Sequence, residues 1–190
     1  MANPLLDLIG HHRSLPFDQV TPEHVEPALG KALDTARTSI DVITANTEPP
    51  DFANTVTALE AADEGVDRIT SVFYHLLHVE ANDALQELSG ILPQQLSEYH
   101  NDVIMNHKLF QRIEAVENSG EPLTPEQQMV LENLLSSFRR NGAALSDEDQ
   151  QKLREIDQEL STCAPKFAEH VLKATQSFAL WVSDPEDIRE

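Results

Sequence analysis

Metal and acid–base chemistry leave recognisable spacings of histidine and carboxylate, and this chain has eight histidines and 33 acidic residues to search. A helical zinc site built on His-Glu-x-x-His sets two imidazoles one turn apart and adds a glutamate that activates water. No histidine here is followed by glutamate, and none has an acidic residue three positions before it, which removes the Glu-x-x-His pattern of di-iron bundles. His75 and His78 are the one pair a single turn apart. They would need a third ligand and a supporting shell to hold a metal, and Glu80 points to a different face. The pair is expected to be partly buried and hydrogen-bonded in a helix interface.

Carboxylates cluster at Glu60, Asp63, Glu64 and Asp67. Neighbouring acids at i+3 and i+4 on one helix read as a solvated face, with Arg68 placed to pair with Glu64. Acid–base catalysis would need burial that such a face lacks. Cys163 falls on a long apolar stripe and is expected to be a small core residue. No Gly-x-Ser-x-Gly turn occurs, and six glycines scattered singly build no phosphate cradle. No catalytic, cofactor-binding or metal-binding residue is therefore assigned within the chain.

The elements that carry these residues read at the helical period. Thr21-Pro22-Glu23 gives an N-cap, a proline at the first position and an acid in the first turn. Val25, Leu29, Leu33, Ala36, Ile40 and Ile43 follow on one stripe, which ends at the prolines of Asn46 to Asp51. A second helix is expected from near Asn54 past His78, on Val56, Leu59, Val66, Ile69, Phe73 and Leu76. Asn82 caps a third, on Leu85, Leu88, Leu92, Leu96, Tyr99 and Val103, which Pro93 should kink or split.

A shorter helix spans roughly His107 to Asn118 on Leu109, Ile113 and Val116. Thr124-Pro125-Glu126-Gln127 is a capping box, followed by Leu131, Leu134, Leu135 and Phe138 and a stop at Gly142. Ser146 opens the longest helix, with Asp147, Glu148 and Asp149 in its first turn and a bend expected at Pro165. Its apolar positions are Leu153, Ile156, Leu160, Cys163/Ala164, Phe167, Val171 and Ala174. Phe178-Ala179-Leu180-Trp181-Val182 then has strand character, with no partner strand and little for Trp181 to pack on. The fold class is all-α: a bundle of about six helices with a long, kinked last helix and a short strand-like tail. The chain reads as cut off beyond that tail.

A net charge of −20 repels polyanions, so nucleic acid and anionic membranes are excluded as partners. No stretch approaches the roughly 20 apolar residues that span a bilayer. One cysteine cannot form an internal disulfide, which favours a reducing compartment, and the opening residues show no signal peptide. Cytoplasm is the expected location.

Three stretches together carry a resemblance. Leu15-Pro16-Phe17-Asp18-Gln19-Val20-Thr21-Pro22-Glu23-His24-Val25-Glu26-Pro27-Ala28-Leu29 is similar to the opening of the thimet oligopeptidase and neurolysin family of zinc metallopeptidases, in its oligopeptidase A-like branch. Phe52-Ala53-Asn54-Thr55 with the helix reaching His75 to Asn82, and Leu145 to Ile156 with Phe167 to Thr175, agree in order. Pro165 and Trp181 depart from the pattern.

The resemblance implies a two-lobed helical enzyme whose deep channel admits short peptides. Zinc in the full-length parent is held by His-Glu-x-x-His and a downstream glutamate, all beyond Glu190. On this reading residues 1–177 are the helical amino-terminal domain, which walls the channel. Residues 178–190 begin the connection to a carboxyl-terminal catalytic domain, the chain's partner. These 190 residues alone are then expected to cleave nothing. The alternative is a free-standing helical module that binds a protein or peptide without catalysis. A metal-binding bundle centred on His75 and His78 ranks third.

Overall fold

A computed structural model describes residues 3–9, 17–80 and 82–182. His11, His12, Leu15, Pro16 and residues 183–190 lie outside the described residues. Six α-helices follow in order among the described residues: α1 Pro22–Ala45, α2 Ala58–Val79, α3 Asp83–Ile104, α4 His107–Asn118, α5 Pro125–Arg140 and α6 Asp147–Ser177. No strand occurs among them, so the all-α expectation holds.

The apolar stripes of α1 and α2 form the centre of the core. Every stripe position expected on α1 is buried, from Val25 through Ile43, and so are Val56, Leu59, Val66, Ile69, Phe73 and Leu76. α1 lies along α2 and also touches α3 and α4. Leu5, in a short 3-10 turn at Pro4–Leu8, is fully buried where that turn meets α1 and α2. The Asn3 side-chain amide anchors the turn by donating to the His24 carbonyl at 2.7 Å.

The start of the second helix differs from the sequence expectation. The chain turns at Asp51, whose carboxylate accepts from the Asn54 amide at 2.7 Å, and Phe52–Thr57 winds as a wide π-helical turn before α2. α3 runs through Pro93 without splitting, with Asn82 Oδ1 capping the Leu85 amide at 3.0 Å. α4 and α5 pair through stacked Phe110 and Phe138, whose ring centroids are 6.1 Å apart.

The α5 ends follow their local signals. Gln127 N–H donates to Thr124 Oγ1 at 3.3 Å and Thr124 N–H to Gln127 Oε1 at 3.0 Å, closing the capping box. At the other end Gly142 takes φ +98°, and the Ala143 amide reaches back to the Phe138 carbonyl at 3.0 Å. That is a Schellman stop, in which glycine avoids the Cβ clash of the left-handed region.

α6 departs most from expectation. It is one continuous helix of 31 residues through Pro165, packed along α3. The side it turns inward carries Gln150, Arg154, Asp157, Ser161, Pro165 and Leu172, while Ile156, Leu160, Phe167 and Val171 are exposed. Leu153, the first position of the expected stripe, is half-buried beside Gly142, but from Ile156 onward the large apolar residues of the stripe face outward. The cause lies in α3, which spends its apolar side in the core and offers α6 polar groups such as Asp102 and the Asn101 carbonyl. Cys163 is exposed with the stripe, correcting its assignment to the core. Phe178–Val182 forms no strand, because no edge lies beside it to complete backbone pairing, and Trp181 is 90% exposed.

Candidate functional site

His75 and His78 are both exposed, not partly buried as expected. His75 meets Phe17 edge-on at 5.8 Å between ring centroids, and His78 Nδ1 lies 2.6 Å from the Tyr74 carbonyl of its own helix. No acid completes a ligand set: among the described residues no three His, Cys, Asp or Glu side chains are grouped to hold a metal ion.

The acidic cluster divides. Glu64 pairs with Arg68 at 3.1 Å, as its i+4 spacing implies. Asp63 instead turns into the α2–α3 interface and accepts a hydrogen bond from the Tyr99 hydroxyl. Burial pushes its carboxyl above the usual carboxylate range; the Tyr99 hydrogen bond works in the opposite direction. Burial also raises the Tyr99 phenol, with the adjacent carboxylate adding to the shift. The expectation of a wholly solvated acidic face is thus corrected at Asp63. Residue spacing placed it with Glu60 and Asp67, but Tyr99 sits opposite it in space.

Around Tyr99 four helices meet through polar groups. The Arg37 guanidinium from α1 lies 5.5 Å from the Tyr99 ring centroid and donates to Asp102 Oδ2 at 3.2 Å. Arg154 from α6 donates to Asp102 Oδ1 at 2.9 Å and to the Asn101 carbonyl at 3.4 Å. Asp102 thus bridges two arginines, one in the core layer and one on the outer helix. The cluster joins four helices, with its charged groups paired to one another.

A second polar centre surrounds Arg112, which is 8% exposed. Its guanidinium donates to Asn46 O at 2.8 Å, Asn54 Oδ1 at 2.9 Å, Thr55 Oγ1 at 3.1 Å and Glu48 O at 3.4 Å. These acceptors come from the loop after α1 and the π-helical turn, so one side chain holds both in place. Sequence reading missed Arg112, although a signal existed. Leu109, Arg112, Ile113 and Val116 occupy i, i+3, i+4 and i+7, and a charge inside an apolar stripe demands buried partners.

The outer face of α6 and the residues up to Val182 expose Ile156, Leu160, Phe167, Val171, Phe178 and Trp181. Between the inner side of α6 and helices α2 and α3, a cavity of about 540 Å³ is lined by Tyr74, Leu77, Pro93, Ala164, Ala168 and Leu172, with His78 among its polar neighbours.

No family model matches the chain. Dipeptidyl carboxypeptidase of Escherichia coli (strain K12) is 34% identical over 170 residues, which cover 88% of this chain and 25% of that protein. Oligopeptidase A of the same strain is 30% identical over 190 residues, 99% of this chain and 28% of that protein. Oligopeptidase A of Haemophilus influenzae is 30% identical over 192 residues, covering 99% of this chain and 27% of its own length. The chain belongs to the thimet oligopeptidase family. It spans about a quarter of the length of these relatives. Membership agrees with the resemblance read from the three sequence stretches. No helix among the described residues of this family member is long and apolar enough to cross a membrane.

Proposed function

We propose that this chain is the amino-terminal, channel-wall segment of a cytoplasmic zinc oligopeptidase that cleaves short peptides. One observation carries the reading: 30% to 34% identity along almost the whole chain to peptidases about four times its length. The described residues do not fit a zinc site, since His75 and His78 have no third ligand and His78 Nδ1 engages Tyr74. Zinc chemistry is accordingly assigned to the rest of the parent protein, and no step of hydrolysis passes through a residue named here.

What these residues contribute is architecture. The α1–α3 core, tied by Asp63–Tyr99 and the Arg37–Asp102–Arg154 bridge, makes a stiff helical wall. Such a wall beside a peptide channel excludes folded proteins by size, and its net charge of −20 repels polyanions. The single cysteine supports the cytoplasmic assignment.

The test compares the 190-residue chain with the full-length protein that carries it, on internally quenched peptides. The shorter chain should release no fluorescence with or without zinc; the longer one should cleave and lose activity to a chelator. Mass spectrometry of the products separates dipeptide release from internal cleavage, the two specificities suggested by the relatives' names. Zinc-dependent cleavage by the 190-residue chain, or a full-length chain lacking His-Glu-x-x-His, would overturn the assignment.

A further inference from the structure

We infer that the outer face of α6, with Phe178 and Trp181 beyond it, is the seat of the remainder of the peptidase chain. Ile156, Leu160, Phe167 and Val171 recur at helical spacing on that face and are about half to three-quarters exposed, between 48% and 71%. Phe178 is 74% and Trp181 90% exposed. Large apolar side chains exposed in a row along one helix face are the pattern of a protein interface. Leaving the whole row in water forgoes the hydrophobic gain of burying it.

The helix is not free to turn the row inward. Its opposite side is held by Arg154 to Asp102 at 2.9 Å and by the Gln150 amide to the Gly142 carbonyl at 3.1 Å. Rolling α6 over would break both contacts and still leave it facing the polar side of α3. The partner must therefore come to the stripe.

Two observations choose the occupant. A second copy would bring another charge of −20 against the first, which opposes self-association. Relatives matched over 99% of this chain, α6 included, carry nearly three-quarters of their length outside the matched stretch, so covering chain is present in the family. The seat takes an apolar face of that chain; it is a surface of assembly and not a peptide subsite. This inference rests on the peptidase reading, because the covering chain is the one that reading supplies.

Cys163, exposed between Leu160 and Phe167, is a built-in reporter. Maleimide labelling is followed by peptide mass spectrometry at Cys163, in the 190-residue chain and in the full-length protein. Labelling in the full-length protein should be at least about tenfold slower, a difference of about 1.4 kcal/mol in protection. In the full-length Leu160→Asp/Phe167→Asp variant the fast rate should return. Equal rates in the two unsubstituted proteins would overturn the seat without any need for the variant. Protection that grows with concentration of the 190-residue chain alone would overturn it in favour of a second copy. Peptide cleavage by the same full-length sample is scored separately. Cleavage with unprotected Cys163 defeats only the seat, and protection without cleavage defeats only the peptidase assignment.

Discussion

Tyr99 on α3 donates its hydroxyl to the carboxylate of Asp63 on α2, while the Arg37 guanidinium of α1 lies over the same ring. The carboxylate is half-buried, and desolvation raises its pKa in the folded chain. The folded state therefore holds this proton to higher pH than the unfolded state does. Its stabilising effect is full below the ordinary carboxylate range and is lost as pH rises through the folded value. The neutral Asp63→Asn variant should accordingly gain stability relative to the unsubstituted chain as pH rises from acid to neutral, read from urea midpoints. Tyr99→Phe should cost about 1–3 kcal/mol at neutral pH and less in acid, because the ionised carboxylate loses its donor. A pH-independent difference for Asp63→Asn would refute the account.

Arg112 offers a sharper stability test. Its four acceptors lie in the loop after α1 and in the π-helical turn, so Arg112→Ala should destabilise the fold by more than about 2 kcal/mol in urea unfolding. Arg112→Lys should recover only part of the loss, since an ammonium cannot reproduce the planar fork that reaches all four.

Two glycines predict opposite signs. Gly142 has φ +98°, and a Cβ there would meet Leu153 Cδ2 at 2.8 Å, so Gly142→Ala should lower stability by at least about 1 kcal/mol. Gly30 lies inside α1 with nothing within 4 Å of its Cβ position, so Gly30→Ala should raise stability by roughly 0.5–1 kcal/mol. Thermal melts of the two single variants check both directions.

Asp102 bridges Arg37 and Arg154 with all three side chains about a third exposed, at 31% to 40%. A double-mutant cycle between Asp102→Ala and Arg154→Ala should give a coupling of about 0.5–1 kcal/mol. Added salt should shrink the coupling, and hydrogen exchange in α6 should quicken in either single variant. Unchanged exchange in α6 would show that this bridge does not hold the helix.

Much of this architecture was legible in local sequence. Thr124 and Gln127, Ser146 with its acidic first turn, and Gly142 mark helix ends because capping depends on residues within one turn of one another. The α1 and α2 stripes were read correctly because those helices lie at the centre of the bundle, where an apolar face is covered. The same rule failed on α6. Periodicity states that Ile156, Leu160, Phe167 and Val171 share a face, but not what stands opposite it. Asp63 failed for a related reason: its partner Tyr99 is 36 positions away, and no local spacing announces it.

The sequence by itself determined that the chain is helical, where most helices begin and end, and to which family it belongs, since each depends on residue order. Only the tertiary structure decided which apolar faces are covered. α3 spends its apolar side on the core, and α6 meets it through Arg154 while Gln150 ties it to the turn at Gly142, which leaves Ile156, Leu160, Cys163, Phe167 and Val171 facing outward.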